Sequence, residues 1–390
     1  MTGEPQAPED SATTEAAAEQ AAREEREAGA VLTIDLSAIA DNWRTLAALA
    51  APAECAAVVK ANAYGLGIDR VAPAQWKAGA RTFFVAHFKE ALELRALLPE
   101  AVIHVLNGLL PGTAADHVAA NLRPVLGSVP EITEWSDFCR ERGADLPAAI
   151  HVDTGMNRLG LSVDEAVQLA GTRKMLGFTP SLVMSHLACA DTPGHALTAR
   201  QRAVFADVIR RFRGVPGSLA NSAGTLLGRD FRFELVRPGI FLYGGVAITG
   251  VPPLRPAVRL EVKIIQISTV AAGETVGYGA AERLKRPSRL ATVSIGYADG
   301  LFRAAGSSDL AKGVEAIVAG RRCHLVGRVS MDLATLDITD LPEGAVQRGD
   351  VAVFLGDGIS VDDLAARSGT IGYEVLTSLG ARYARRYIGG

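Results

Sequence analysis

The chain has 390 residues, of which 48% are hydrophobic and 21% charged, and its net charge is −3. That length supports two domains with sizeable cores, and the composition is ordinary for a globular protein. A near-neutral charge without a large basic cluster excludes a polyanion partner such as nucleic acid, and no apolar stretch reaches the length that spans a bilayer.

Residues 1–28 are acidic, rich in Ala, Glu, Thr and Pro, and lack an apolar face. They read as a disordered tail with at most a transient helix near Glu15 to Ala28, and not as a signal peptide. VLTIDL (31–36) reads as a strand, and Ser37 is expected to cap an amphipathic helix carrying Trp43 and Leu46. Eight short apolar runs then follow, at 56–61, 82–87, 102–108, 123–128, 148–154, 181–187, 217–222 and 235–243. Helical stretches such as KEALELRALL (89–98) lie between most of them. This alternation predicts a (β/α)8 TIM-type barrel over 29–256, with the strand at 31–36 packing on the C-terminal domain instead. A doubly wound open sheet would alternate in the same way. The placement of Lys60, His87, Asp153, His186, Asn221 and Arg237 at or near run ends favours the barrel, because barrel active sites are built there.

The pattern changes after Pro256. Runs at 258–269, 289–295, 314–327, 334–339 and 350–356 are rich in Val, Ile and Thr and are separated by turn residues. They predict a mainly antiparallel β domain over 257–390, closed by helices at 360–369 and from Glu374 to Tyr387. Cys55, Cys139, Cys189 and Cys323 are scattered without CxxC spacing. They read as reduced thiols of a cytoplasmic protein, and no metal site is expected.

The most informative segment is VVKANAYGLG (58–67), in which an apolar run ends on Lys60. An ammonium is costly to desolvate, so a lysine at the end of a buried strand is unusual packing material. Kept as a neutral amine, it could attack an aldehyde. Tyr64 follows one short turn later, and Gly65 and Gly67 let backbone approach a ligand. Taken alone, the segment also fits a lysine snorkelling to water with no chemistry.

VVKANAYGLG resembles the cofactor-lysine segment of alanine racemases, pyridoxal-phosphate enzymes built on a barrel. The likeness runs from about Val31 to the end, in the family's order. It is carried by HVDTGMNRLGL (151–161), SHLACAD (185–191), NSAG (221–224), RPGIFLYG (237–244), GYGA (277–280), IGYADG (295–300), GRVSMD (327–332) and GYEVLTSL (372–379).

The resemblance implies that Lys60 binds pyridoxal 5′-phosphate covalently and, once freed, acts as an acid/base group beside Cα. Racemisation needs proton transfer on both faces of a planar carbanion, and the match GYGA makes Tyr278 the second base. A phenolate at neutral pH costs about 4 kcal/mol unless its surroundings supply positive charge. Arg237 is implied at the pyridine nitrogen, where many such enzymes place a carboxylate. Arginine only donates, so that nitrogen stays unprotonated, the ring withdraws fewer electrons and transamination is disfavoured. His186 is implied to bridge Arg237 and the tyrosine base. Tyr64, Asn221, Ser222, the N–H groups of Gly239 and Ile240, and Tyr373 match cofactor contacts, most of them to the phosphate. Arg158 is expected near the cofactor's phenolic oxygen or the substrate carboxylate, and Met331, Asp332 and Tyr297 in the substrate pocket. The family works as a head-to-tail homodimer, which would bring Tyr278, Met331 and Asp332 into action in trans.

One position departs from the family. Its best-known members carry a lysine, often carboxylated, where this chain has His151. A histidine forms no stable carbamate, so the charge that orients the arginine is missing. Arg158 then needs a bound anion, a nearby acid or the cofactor's phenolate, and His151 is expected to titrate near ~6.5. The reading is interconversion of L- and D-alanine, supplying D-alanine for peptidoglycan. The alternatives are a broad-spectrum amino-acid racemase, a decarboxylase, a non-catalytic pyridoxal-phosphate carrier and a phosphate-binding barrel enzyme without pyridoxal.

Overall fold

Short apolar runs become strands only where neighbours supply the ladder bonds, so the pairing order decides the architecture. The computed structural model describes residues 19–390. It divides into two compact units, one holding the described residues up to Ile34 with Val258–Ile388, the other Asp35–Ala257 with Gly389–Gly390.

The first strand, β1 (Ala30–Asp35), belongs to the sheet of the former unit. The latter unit carries β2 (Glu54–Cys55), β3 (Ala57–Val58), β4 (Thr82–Val85), β5 (Val102–Val105), β6 (Arg123–Leu126), β7 (Ala148–His151), β8 (Pro180–Met184), β9 (Gly217–Ser218) and β10 (Leu235–Val236). Strands β3 to β9 pair in chain order as one parallel sheet. β10 pairs with β2 in parallel. Arg237 N donates to Ala220 O at 2.9 Å and Val58 N to Pro238 O at 3.2 Å, which joins β10 to both ends of the sheet. The broken strand β2/β3 thus fills one of eight positions in a closed ring. A doubly wound sheet reverses its strand order at a switch point, and this order never reverses. Phe83, Phe84 and Val85 are all fully buried, as expected where a barrel strand is covered on both faces.

Three local expectations change. The run at 235–243 is strand only at Leu235–Val236, and Ile240–Tyr243 forms a 3-10 helix. Pro238 has no N–H to continue a ladder. The run at 56–61 stops being strand at Val58, and Lys60 opens a turn. The helix Leu36–Ala50 is capped by Asp35, whose carboxylate accepts from Ala38 N. Ser37 lies inside its first turn and donates to Asp35 Oδ1 at 2.6 Å. Trp43 and Leu46 are buried on this helix.

The other unit adds β11 (Val258–Val270), β12 (Thr275–Val276), β13 (Glu282–Arg283), β14 (Ser288–Val293), β15 (Glu315–Val318), β16 (Arg321–His324), β17 (Ala334–Asp337), β18 (Val351–Leu355) and β19 (Ala384–Ile388). Its main sheet runs β16-β15-β18-β11-β1-β19, with β14 and β17 continuing from β11. β11 pairs antiparallel with β1, β14 and β18. Val258, Leu260, Val262 and Ile264 are buried and alternate with half-exposed Arg259, Glu261 and Lys263, so one face meets the core. Helices span Val361–Ser368 and Gly372–Ser378. The helix expected from Glu374 to Tyr387 therefore ends early, because the backbone of Ala384–Ile388 pairs with β1 as an edge strand.

Residues 19–27 form a helix, within the stretch from Glu15 to Ala28 where a transient helix is expected. Lys263 Nζ donates to the carbonyls of Glu25 and Arg26 at the helix end, at 2.8 and 2.6 Å, and Arg386 pairs with the Glu25 carboxylate. These long-range cations supply what the local sequence lacks. The rest of the expected tail, residues 1–18, lies outside the described residues. Among the described residues, no helix is long and apolar enough to cross a membrane, and no group of three or more His, Cys, Asp or Glu could hold a metal ion. All four cysteines are free.

Candidate active site

Val59 N bonds to Phe84 O at 3.0 Å, and the chain then turns sharply at Lys60. Ala61, Asn62, Ala63 and Tyr64 all have positive φ, between 53° and 57°. L-residues avoid this region at roughly 1–2 kcal/mol each, and glycine is its usual occupant. Four in succession require tertiary support. Asn62 Oδ1 accepts from Ile68 N at 2.7 Å, and Glu90 Oε1 accepts from Ala61 N at 2.6 Å. Lys60 is half-buried at the start of this turn. Burial lowers its pKa, Arg158 and Arg237 lower it further, and Glu90 opposes them. The balance is thereby shifted toward the neutral amine.

Arg237 follows β10 and is 4% exposed. Nη1 donates to Ser218 Oγ, and Nη2 donates to Ser185 O at 2.6 Å and lies 3.5 Å from His186 Nδ1. The guanidinium sits 5.9 Å from the Phe84 ring centroid. Among the described residues it has no carboxylate within ion-pair distance, and burial brings its pKa down to about 9. It remains cationic at neutral pH. His186 is held at about 3 by burial, then by Arg237, Arg158, Lys60 and His151, so it is neutral. Gln201 Nε2 fixes the backbone here by donating to His186 O at 2.8 Å.

Tyr64 and Gly239 meet on the far side of the turn. A Cβ on Gly239 would lie 2.1 Å from the Tyr64 hydroxyl, so only glycine allows this approach. Ser222 Oγ accepts from Gly239 N at 2.8 Å, and Asn221 caps the short helix Ser222–Leu226 by accepting from Gly224 N. Ile240 is fully buried. The Tyr243 ring lies 4.7 Å from that of Tyr64, tilted by 33°, and its hydroxyl donates to Val58 O at 2.9 Å. Hydroxyls and backbone N–H groups thus gather beside the barrel strand ends, which is the donor set a phosphate needs.

Arg158 is exposed on the loop after β7. Leu161 N donates to His151 O at 2.9 Å and Asp153 N to Leu161 O at 2.8 Å, which pins the loop. Among the described residues no acid lies within ion-pair distance of Arg158. His151 is 8% exposed. Burial comes first and Arg237 next in lowering its pKa to about 4. The expectation of titration near 6.5 therefore fails: the imidazole is neutral across the physiological range.

The remaining candidates lie on the other unit. Tyr278 is 74% exposed between Gly277 and Gly279, both at φ 72°. A Cβ on Gly279 would meet the Arg328 guanidinium at 2.8 Å. Tyr297, Met331 and Asp332 come together: Ala298 N donates to Met331 O at 3.0 Å, and Tyr297 N to Ser330 O at 3.1 Å. Arg382 clamps this corner, binding both oxygens of buried Asp299 and Asp332 Oδ1 at 2.7 Å. Tyr373 lies on the helix Gly372–Ser378.

Sequence reasoning missed Glu90, Ser185, Ser218, Gln201 and Arg382. Ser185 opens the SHLACAD segment and Glu90 also caps its own helix, but the bonds that matter to the site run to other elements: Glu90 to Ala61, Ser185 and Ser218 to Arg237, Gln201 to His186, and Arg382 to Asp299.

The residues 34–247 match the alanine racemase N-terminal domain, and 257–387 match the alanine racemase C-terminal domain. An alanine racemase from Methylobacterium sp. (strain 4-46) is 57% identical over 361 residues, covering 92% of this chain and 98% of that protein. One from Rhizobium meliloti (strain 1021) is 48% identical, covering 92% and 97%. The structure of an alanine racemase from Bartonella henselae, with covalently bound pyridoxal phosphate, superposes with a TM-score of 0.87 at 41% identity, covering 93% of this chain and all (100%) of that one. With both domains matched in order over nearly its whole length, the chain belongs to the alanine racemase family, isomerases that join a parallel barrel to an antiparallel β domain.

Proposed function

We propose that this protein interconverts L- and D-alanine with pyridoxal 5′-phosphate, using Lys60 and Tyr278 as bases on opposite faces of Cα. The observation that carries the reading is the half-buried Lys60, whose ammonium is disfavoured by burial and two guanidinium groups, together with a buried Arg237 that has no carboxylate partner among the described residues. The residues present fit the cofactor. Lys60 would hold its aldehyde carbon, Arg237 its ring nitrogen, and Tyr64, Ser222, Gly239, Ile240 and Tyr373 its phosphate, with Asn221 shaping that cradle. Gly239 N and Ser222 Oγ bond each other in the structure, so both would turn to the phosphate. When bound, the cofactor draws electrons from Cα and makes its proton acidic. Lys60 then takes or returns that proton on the face used by D-alanine, and Tyr278 on the face used by L-alanine. Arg237 keeps the ring nitrogen unprotonated, and neutral His186 relays its hydrogen bonding toward Tyr278. Arg158, Met331, Asp332 and Tyr297 orient the substrate. A coupled assay against single L-amino acids tests the substrate: turnover of alanine well above all others supports the reading, and equal turnover of larger side chains favours a broad-spectrum racemase.

The proposal includes a cytoplasmic head-to-tail homodimer in which Tyr278, Met331 and Asp332 act in trans. The family likeness of the segments that carry these residues supports this reading, and Tyr278 at 74% and Met331 at 53% exposed are open to a partner chain. It also assigns the product to peptidoglycan, so deletion of the gene should create a requirement for D-alanine.

Arg237→Glu should place a carboxylate at the ring nitrogen and protonate it. The expected result is a new long-wavelength absorbance band, racemisation slower by about 10²-fold, and more transamination. An unchanged spectrum with unchanged by-products would separate Arg237 from the ring.

With His151 neutral and no carbamate possible, activity should be indifferent to bicarbonate. Intact mass should show no carbon dioxide adduct. For stability the sign is clear: a histidine whose folded pKa is lowered to about 4 gives stability that is present above ~6.5 and is lost as pH falls toward 4. His151→Lys should restore a bicarbonate response and change KM more than Tm. A bicarbonate requirement in the wild type would overturn this.

A further inference from the structure

We propose that Glu90 is a positioning residue for this reaction, a carboxylate that fixes the left-handed turn behind Lys60 and thereby the stance of its side chain. The inference rests on the reading of Lys60 as a base. Glu90 lies in the first turn of the helix Phe88–Leu97, just beyond β4. Its Oε2 accepts from Ala86 N at 2.8 Å and His87 N at 3.1 Å, which is the work of an ordinary helix cap. Its Oε1 does something a cap does not require. It accepts from Ala61 N at 2.6 Å, the first left-handed residue after Lys60. One carboxylate therefore ties the ends of two neighbouring barrel strands together, next to the lysine.

The local bonds of the turn, Ala63 N to Val59 O and Gly65 N to Ala61 O, close it on itself but do not aim it. The tie to Glu90 aims it, because the accepting oxygen is fixed by the helix start. A glutamine has a single accepting oxygen and could hold Ala61 or the loop after β4, not both. The charge matters as well. Lys60 is faced by Arg158 from the loop after β7, by Arg237 after β10, by neutral His186 after β8, and by Glu90. Glu90 is the negative group among them, and it opposes the loss of the Lys60 proton. Its charge thus opposes that of the two guanidinium groups at the amine that would move the proton at Cα.

Solvent deuterium exchange at Cα of D-alanine and of L-alanine, followed against pH in the holoenzyme, tests this. Glu90→Gln should slow exchange into D-alanine by about tenfold, several times more than into L-alanine, because only the Lys60 face is disturbed. The acid limb of the D-alanine profile should move down by about 1 pH unit, since withdrawing an opposite charge favours the neutral amine. A merely structural cap would lower Tm and both exchange rates together, with the limb unmoved, and that result would overturn the proposal. Wild-type behaviour would overturn it too. If Glu90→Gln does not fold, Ala61→Gly is added, because glycine takes positive φ without strain, and the limb is read in the double variant. Exchange into D-alanine that survives in Lys60→Ala would break the base assignment itself, whatever Glu90→Gln does.

Discussion

Lys60→Ala is expected to abolish racemisation in both directions, a loss of at least about 10²–10⁴-fold. The physical reason is that one side chain serves two needs. Its amine would hold the cofactor covalently, and it would also move the proton on one face of Cα. The barrel prepares it for both. The turn at Ala61–Tyr64 is held by ties to Glu90 and Ile68, so the lysine projects from a fixed base. Burial with Arg158 and Arg237 keeps the ammonium unfavourable. Absorbance and intact mass after borohydride reduction give a second readout: the lysine-bound band and the covalent adduct should both disappear. Tm should change little, because a half-buried lysine with two guanidinium groups near it contributes little to folding. More than trace activity, or a surviving adduct, would sink the assignment.

Tyr278→Phe should remove proton transfer on one face and leave the other. Racemisation should fall by about 10²–10⁴-fold, while cofactor and substrate still bind. Solvent deuterium should continue to enter D-alanine, where Lys60 can take a proton and return a deuteron on the same face. Entry into L-alanine should collapse. Equal loss from both enantiomers would contradict the two-base reading. The same variant tests the trans arrangement. Mixed dimers of Lys60→Ala and Tyr278→Phe chains contain one intact site if Tyr278 serves the partner, and none if it serves its own chain. Activity recovered on mixing two inactive variants would therefore support action in trans, and its absence in verified mixed dimers would remove it.

Much of the barrel is legible in the sequence because its strands are short apolar runs in chain order. Each run gives up its position without reference to the others, as the match between 102–108 and β5 or 148–154 and β7 shows. The errors fall where backbone pairing overrides local propensity. The segment after Glu374 carries a helical pattern, yet Ala384–Ile388 joins β1 as a strand, since an open sheet edge offers more hydrogen bonds than an isolated helical turn. Residues 19–27 lack an apolar face, yet Lys263 and Arg386 hold them from far along the chain.

The sequence by itself determined the order of strands, the polar residues at their ends, and the family, because these depend on residue type and spacing along one chain. Tertiary structure decided the ionisation of the site. His151 near 4, His186 near 3 and the weakened ammonium of Lys60 follow from burial and from charges brought in by separate strands. The left-handed turn and its tie to Glu90 were decided there as well. Asn62 tolerates positive φ and ties locally to Ile68 N, but the two alanines and Tyr64 beside it have no such preference. The tie that fixes the start of the turn, Ala61 N to the Glu90 carboxylate, comes from 29 residues away, where no local pattern could show it.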